Sequence, residues 1–297
     1  MRRNNLHHYL RTVGFHELNS TKDLDAVLDE IIENPNREQT TQDAQGNEIV
    51  EMTKEYGHGF GIRLIGQYVG EDGFEIDHYY PYFTGNGVTT EEPVEVERHA
   101  GNESYAGICD DVKVGVSLIF YIQNSVEYMN EVYRNEKCLS KATVTLSGLS
   151  TYGHIIMPIA KQKKKVETPR QVQERHSILE AARDGDEEAM ESLTLEDIDT
   201  YSMLSRRVMY EDVLSIVETS FMPYGIESDQ YQVIGEILDY TMQPNKETLE
   251  ELIILTLSCN DLVFDVCINQ KDLLGEPAVG RRFKGTIWLQ GKLNFFD

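Results

Sequence analysis

The 297-residue chain lacks the cysteine patterns that bind metals. Its four cysteines include no Cys-x-x-Cys pair and no accompanying histidine at zinc-binding spacing. Cys267 lies inside an alternating apolar pattern, which is typical of a small core residue. The sequence therefore predicts no metal site and no cofactor.

A signal peptide and long apolar runs are also missing. Residues 1–5 (MRRNN) lead into His7 and His8 without the apolar core of a signal peptide. The longest apolar stretches, such as 252–255, are far shorter than a membrane span. We therefore expect a soluble cytoplasmic protein with no membrane association.

Basic residues are scarce in this chain. Lys and Arg together number 27 against 51 Asp and Glu, which gives a formal net charge of −24. Such a charge repels polyanions, and nonspecific nucleic-acid binding depends on cations that displace counterions from phosphates. We therefore expect no nucleic-acid partner, and the acidity itself is typical of a solvated surface.

Local signatures of enzymes are absent as well. The sequence contains no Gly-x-Ser-x-Gly elbow, no Walker-type phosphate loop, no dinucleotide fingerprint and no His-Glu-x-x-His motif. Their absence lowers the expectation of an enzyme without removing it, because acid/base pairs drawn from distant positions leave no local pattern.

The sequence does contain similar strand-like segments in its two halves. Three pairs of segments match in the same order at an offset of roughly 150 residues. They are 62–83 with 214–238, 116–124 with 262–270, and 143–148 (TVTLSG) with 286–291 (TIWLQG). This order predicts an internal duplication. The alternative is two unrelated domains whose strands look alike.

Together the patterns predict an α+β fold made of two similar halves. Each half is expected to be a mostly antiparallel sheet with helices on one face. Residues 1–160 would form the N-terminal half, 161–175 a basic, polar linker, and 176–297 the C-terminal half.

Several individual elements can be predicted from local patterns. Ser20, with Asp23 three residues on, predicts the capped start of an amphipathic helix. Residues 125–134 predict a second helix, and 247–257 a third helix that follows a capping Asn245. Strands are expected at 48–83, 112–123, 141–159, 212–222, 230–238, 262–269 and 283–296, and an irregular connection at 84–111.

Four motifs cover different parts of the chain: HYLRTVGF (8–15), SLTLEDIDTYS (192–202), FMPYGIESDQY (221–231) and GRRFKGTIWLQG (280–291). They resemble a family of uncharacterised proteins from anaerobic Gram-positive bacteria of the Clostridia type. The resemblance implies a bacterial cytosolic origin. The family is a domain of unknown function, so the resemblance implies no catalytic or binding residue.

The first candidate site is a group of three cations. Arg281, Arg282 and Lys284 lie between Gly280 and Gly285 at the entry to a strand. Arginine offers paired donors that suit phosphate or carboxylate, and glycine lets backbone amides approach an anion. The pattern therefore predicts an anion-binding site.

Two points qualify this anion site. Arg206 and Arg207 are a second pair of cations that would contribute to it. The alternative is that the three cations pair with local acids such as Glu276 or protect the edge of a strand from aggregation.

The second candidate site contains histidines and an aspartate. His58 lies among glycines in 57–61 (GHGFG), and Asp77 and His78 lie on the next predicted strand. If the two strands pair, one histidine would bond Asp77 and act as a general base. The alternative is a hydrogen-bonded surface histidine at the start of a glycine-rich strand.

The third candidate is a group of tyrosines, Tyr79, Tyr80 and Tyr82. Because side chains alternate along a strand, one face would present an aromatic platform to a ligand or partner. The alternative is that these tyrosines are sheet residues half-buried under a helix.

These candidates lead to three functional hypotheses. The first is a non-enzymatic binding or interaction protein that uses Arg281 and Arg282 to hold a small anionic ligand, or that binds a protein. The second is a hydrolase- or isomerase-type enzyme that uses His58 or His78 with Asp77. The third is a structural subunit, which predicts an exposed apolar patch and no ligand pocket.

Overall fold

The computed structural model of the chain is mostly β, with its described strands in two sheets. It describes residues 6–43, 46–70, 73–99, 104–111, 115, 117–134, 142–159, several positions between 177 and 191, 213–226 and 228–295. The chain divides into two compact units, Met1–Met157 with Thr219–Asp297, and Pro158–Glu218. All the described strands belong to the first unit, and helix α3 (Val213–Ile216) belongs to the second.

The small sheet is an antiparallel meander in the order β1-β2-β3-β4. Its strands are β1 (Arg37–Gln42), β2 (Glu48–Gly57), β3 (Phe60–Val69) and β4 (Gly73–Phe83). Helix α1 (Thr21–Glu33) begins at Ser20, whose hydroxyl accepts a hydrogen bond from the Asp23 amide. Its buried residues Leu24, Leu28 and Ile31 join the core that covers this sheet.

The large sheet contains the remaining described strands. They are β5 (Val94–Arg98), β6 (Tyr105–Asp110), β7 (Ser117–Ile122), β8 (Thr143–Ile156), β9 (Ser220–Pro223), β10 (Gln230–Pro244), β11 (Glu251–Cys259), β12 (Leu262–Asn269), β13 (Leu273–Leu274) and β14 (Arg282–Asn294). Helix α2 (Ser125–Arg134) follows β7, and the 3₁₀ turns η1 (His8–Val13) and η2 (Gln270–Asp272) complete the described elements of the first unit.

Part of the large sheet closes into a five-stranded barrel. Strand β14 pairs with β10 on one side and with β8 on the other, and β8 pairs with β12. The ring therefore runs β8-β12-β11-β10-β14 and returns to β8. Strands β7, β6 and β5 extend the sheet outward from β14.

Alternate residues of the barrel strands enter two different cores. On β14, Ile287 and Leu289 belong to the barrel interior, whereas Trp288 packs with the core under the small sheet. The Trp288 side chain is 6% exposed, and its indole nitrogen donates a 2.7 Å hydrogen bond to the Asp229 carboxylate. Both faces of this strand are therefore covered, which is unusual for an antiparallel strand.

The predicted α+β fold with two similar halves is wrong. The described part of the chain is mostly β with three helices, and the small sheet has no counterpart in the C-terminal part. Segments 143–148 and 286–291 look alike because β8 and β14 are neighbours in the barrel, with one face of each turned toward its interior. Internal duplication is not supported by this architecture.

Some local predictions also need correction. Residues 247–257 are not a helix, because Glu251–Cys259 forms strand β11 and leaves a turn before it. Asn245 caps that turn, since its side-chain oxygen accepts hydrogen bonds from the amides of Glu247 and Thr248. The irregular connection predicted at 84–111 contains β5 and β6.

Other local predictions are confirmed. Helices α1 and α2 form where the patterns place them, and β12 has the predicted bounds. The linker predicted at 161–175 lies outside the described residues. Among the described helices, none is long and apolar enough to span a bilayer.

Candidate functional site

An open groove of about 1140 Å³ lies beside α1 in the first unit. Residues of α1 from Thr21 to Ile32 line one part of it, and the segment between β1 and β2 and the adjoining ends of β2, β3 and β4 line the rest. Strands β3 and β4 form a hairpin in which Val69 pairs with Gly73. The end of this hairpin therefore faces the helix across the groove.

Apolar side chains form part of the groove lining. Ile32, Phe74 and Ile76 are half-buried and pack on the core beneath, while Val69 is 51% exposed. The Phe74 ring is held edge-on by Tyr68, with 5.4 Å between ring centroids. The groove therefore offers apolar surface that a ligand can cover.

The polar part of the lining is acidic. Asp25, Asp29, Glu48 and Glu75 are exposed there, and Asp43 and Asp77 also line the groove. Among the described residues that line the groove there is no lysine, arginine or histidine. Within the described residues, those four exposed acids form no ion pair. A cleft lined by one sign of charge concentrates counter-ions, so this groove attracts cations.

Asp77 occupies a β-bulge at the side of the groove. Ile65 pairs with His78 and Gly66 with Ile76, so Asp77 is the extra residue of β4. A bulge redirects the side chain of the extra residue and is common beside functional sites. The Asp77 carboxylate lies 2.9 Å from His78 Nδ1.

His78 continues this hydrogen-bonded row into the core. Its Nε2 lies 3.4 Å from the hydroxyl of Tyr121 on β7. Burial raises the pKa of Tyr121 well above the usual value for tyrosine. An Asp–His–Tyr row of this kind can orient an imidazole and move a proton between its ends.

Aromatic rings pack closely around this row. Tyr121 lies 4.8 Å from Tyr80 and 5.2 Å from Trp288 between ring centroids. His7 lies 5.1 Å from Trp288, and burial, with smaller contributions from His8 and His78, lowers the pKa of His7 to about 4. The Tyr121 end of the Asp77–His78–Tyr121 row is therefore enclosed by aromatic side chains of the core.

Comparison with protein-family models shows which family the chain belongs to. Residues 10–291 match the model of a family described as "Domain of unknown function, E. rectale Gene description (DUF3881)". The chain belongs to this family. The resemblance seen in the sequence is thereby confirmed. No curated protein and no solved structure matches the chain.

In this member of the family, His58 lies away from Asp77 and His78. His58 is in the turn between β2 and β3, where its backbone exchanges hydrogen bonds with the Gln243 side chain. Phe60 pairs with Phe83 and Ile65 with His78, so five strand positions, about 16 Å, separate the turn from His78. The structure therefore brings Asp77 and His78 together and leaves His58 apart.

The three predicted anion-binding cations have other contacts. The guanidinium of Arg282 is buried and donates to the Met157 carbonyl, at 3.0 Å from Nε and 2.9 Å from Nη2. Arg281 donates to the carbonyl of Glu276 at 2.7 Å. Lys284 lies on β14 opposite His154 of β8. The two arginines thus bind different carbonyls, and the anion site remains a prediction. Arg206 and Arg207 lie outside the described residues.

The tyrosine group is part of the core. Tyr79, Tyr80 and Tyr82 are 7%, 2% and 2% exposed, so they form no surface platform. Tyr82 instead lies against Arg63, whose guanidinium carbon is 4.5 Å from the centre of the ring.

A buried pair of opposite charges was not predicted from the sequence. Arg63 Nη1 lies 3.7 Å from Glu51 Oε1, and the two side chains are 11% and 3% exposed. Burial raises the pKa of Glu51, against the opposing effect of Arg63. The signals of this pair in the sequence were Arg63, the one charged residue of β3, and Glu51, which lies between apolar residues of β2.

One described group of side chains has the ligand types of a metal site. His16, Glu17 and Glu250 offer ligand atoms within 4.8 Å of one another. The ammonium of Lys271 lies 2.8 Å from Glu17 and 3.0 Å from Glu250, so a cation of the protein already binds both acids. The group is therefore an ion-pair network that links η2 to the residue before β11 and to the residues after η1.

Proposed function

We propose that this protein is a non-enzymatic binding protein whose groove beside α1 takes a cationic ligand. The lining of the groove carries this proposal, because its described residues combine exposed acids with apolar side chains and include no basic side chain. Arg281 and Arg282 do not line this groove, and its acidic lining would repel the small anionic ligand that they predict. The binding role is therefore proposed for this groove with a ligand of positive charge.

A binding experiment tests this proposal directly. Asp25→Asn/Asp29→Asn removes two carboxylates that line the groove and are exposed on α1. Glu95→Gln/Glu97→Gln is the matched control, because it removes two exposed carboxylates from β5. Oligolysine and spermine serve as cationic probes, and oligoglutamate serves as the anionic control.

The expected result is binding of the cationic probes by the wild type and the control variant, measured by isothermal titration calorimetry at low salt. The groove variant should bind at least about ten-fold more weakly, and added salt should weaken binding because it screens exposed charges. Equal binding by the two variants would contradict the proposal, since it would mean that the overall net charge alone attracts the probes.

A second candidate function is acid/base catalysis by the Asp77–His78–Tyr121 row. The observation that favours it is the hydrogen bond that the Asp77 carboxylate at the groove accepts from His78 Nδ1. The proposal predicts turnover of activated ester or phosphoester probes by the wild type, with a loss of at least about 10²-fold in His78→Gln. Turnover that is absent, or unchanged in His78→Gln, would reject it.

A further inference from the structure

We propose that the occupant of the groove is a peptide segment of another protein in which basic and apolar residues alternate. This inference rests on the proposed function and names the class of its ligand. It follows from the arrangement of charge and apolar surface within one groove, neither of which alone would select such a segment.

Carboxylates reach the groove from both a helix and a strand. On α1, Asp25 and Asp29 are one turn apart, which places their Cβ atoms about 5–6 Å from each other. On β4, Glu75 lies two residues before Asp77 of the bulge, and both line the groove. In an extended peptide, every second residue repeats at a distance of about 7 Å. The flexible side chains of alternate lysines can bridge the small difference between this repeat and the spacing of Asp25 and Asp29.

The apolar lining selects among cationic ligands. Val69 and Phe74 lie at the end of the β3–β4 hairpin and Ile32 lies on α1, so apolar surface comes from both sides of the groove. A polyamine or a metal ion has no side chains that would cover this surface. An anionic lipid headgroup would be repelled by the acids. A basic segment with alternating apolar side chains is complementary to both parts of the lining.

The experiment compares two fluorescent 12-residue peptides with equal positive charge. One alternates lysine with leucine and the other alternates lysine with serine, and fluorescence anisotropy measures binding to the full-length protein. Val69→Ser is the test variant for the apolar lining, because this half-exposed side chain lies at the end of a hairpin. Asp25→Asn/Asp29→Asn tests the acidic lining, with Glu95→Gln/Glu97→Gln as its control.

The lysine–leucine peptide should bind at least about ten-fold more tightly than the lysine–serine peptide, because burial of one leucine side chain supplies that much. Val69→Ser should reduce the difference in affinity between the two peptides. The variant that neutralises Asp25 and Asp29 should weaken the binding of both peptides. Equal affinity of the two peptides would overturn this inference and leave the proposed function intact. Binding that is absent, or unaffected by loss of the two aspartates, would overturn both.

Discussion

Among single residues, Arg63 and Glu51 carry a large free-energy cost of burial, because both are charged and both lie inside the protein. A charge removed from water destabilises the fold unless an opposite charge or hydrogen bonds compensate it. Arg63 has such compensation, because it donates to the Gln123 carbonyl and lies over Tyr82 as well as near Glu51. Glu51 depends more heavily on Arg63, since its Oε2 is buried and has no hydrogen-bond partner in the described structure.

Arg63→Met should therefore lower the free energy of unfolding by about 3–5 kcal/mol, because it leaves the Glu51 carboxylate buried without its cation. Glu51→Leu/Arg63→Met should lose less, since both charges are then removed. Urea unfolding at pH 7 measures both values. If the two variants lose the same free energy of unfolding, the unpaired charge of Glu51 does not explain the cost of Arg63→Met.

Trp288 gives a second prediction at this scale. Its side chain is 6% exposed and packs among Tyr9, Tyr121 and His7. Trp288→Ala should cost about 3–5 kcal/mol, the range for truncation of a large aromatic side chain in a core. Chemical denaturation checks this, and a loss below about 1 kcal/mol would contradict the burial of the indole.

At the scale of the element, local patterns predicted α1 and α2 but failed for β11. The helices have one polar face and a recognisable start, which produce a helical period in the sequence. Strand β11 has Leu252 and Ile254 in one core and Ile253 and Leu255 in the other. A strand buried on both faces loses the alternation of apolar and polar residues, so its period no longer distinguishes it from a helix.

Glycines on two strands make room for the ring of Phe120, which packs in the same core as the barrel interior. A Cβ at Gly291 of β14 would lie 2.3 Å from the ring of Phe120, and a Cβ at Gly107 of β6 would also lie 2.3 Å from it. A glycine within a strand often marks such a close approach.

Gly291→Ala should therefore destabilise the protein by about 1–3 kcal/mol, because the added methyl group overpacks the site. Adding Phe120→Leu should relieve that specific clash, so Gly291→Ala should cost less in a Phe120→Leu background. A double-mutant cycle of thermal or urea unfolding measures the coupling. Purely additive effects would contradict the proposed contact.

In the molecule as a whole, a strand from the middle of the chain and a strand near its C-terminus close the barrel. The pairing of β8 with β14 spans 13 residue pairs, and β8 also pairs with β12 and β13. Local sequence patterns report which residues are apolar but not which distant strands are neighbours. The two-halves architecture was therefore wrong even though most of the strands were found.

The closure predicts that the N-terminal part does not fold by itself. A fragment of residues 1–160 contains β8 but lacks all three of its partner strands. It should give poorly dispersed amide resonances and no cooperative thermal transition. A cooperative transition from the isolated fragment would contradict the dependence of its fold on β12, β13 and β14.

In the candidate site, contacts between residues adjacent in sequence could be predicted, whereas contacts between distant residues could not. Asp77 and His78 were predicted as a pair because they are adjacent in sequence, and they are hydrogen-bonded in the structure. The groove was not predicted, because Asp25 on a helix and Glu75 on a strand come to line the same groove only after the chain folds. In the sequence, both were indistinguishable from the many acids of a solvated surface.

Binding of a cationic ligand in the acidic groove beside α1 can be located by amide hydrogen exchange. The full-length protein is compared with and without the lysine–leucine peptide, because protected amides show where the peptide binds. We expect slower exchange in Thr21–Glu33 and at 73–77, and no such change when Asp25→Asn/Asp29→Asn is mixed with the same peptide. Slower exchange confined to other parts of the chain, or none at all, would contradict binding in this groove.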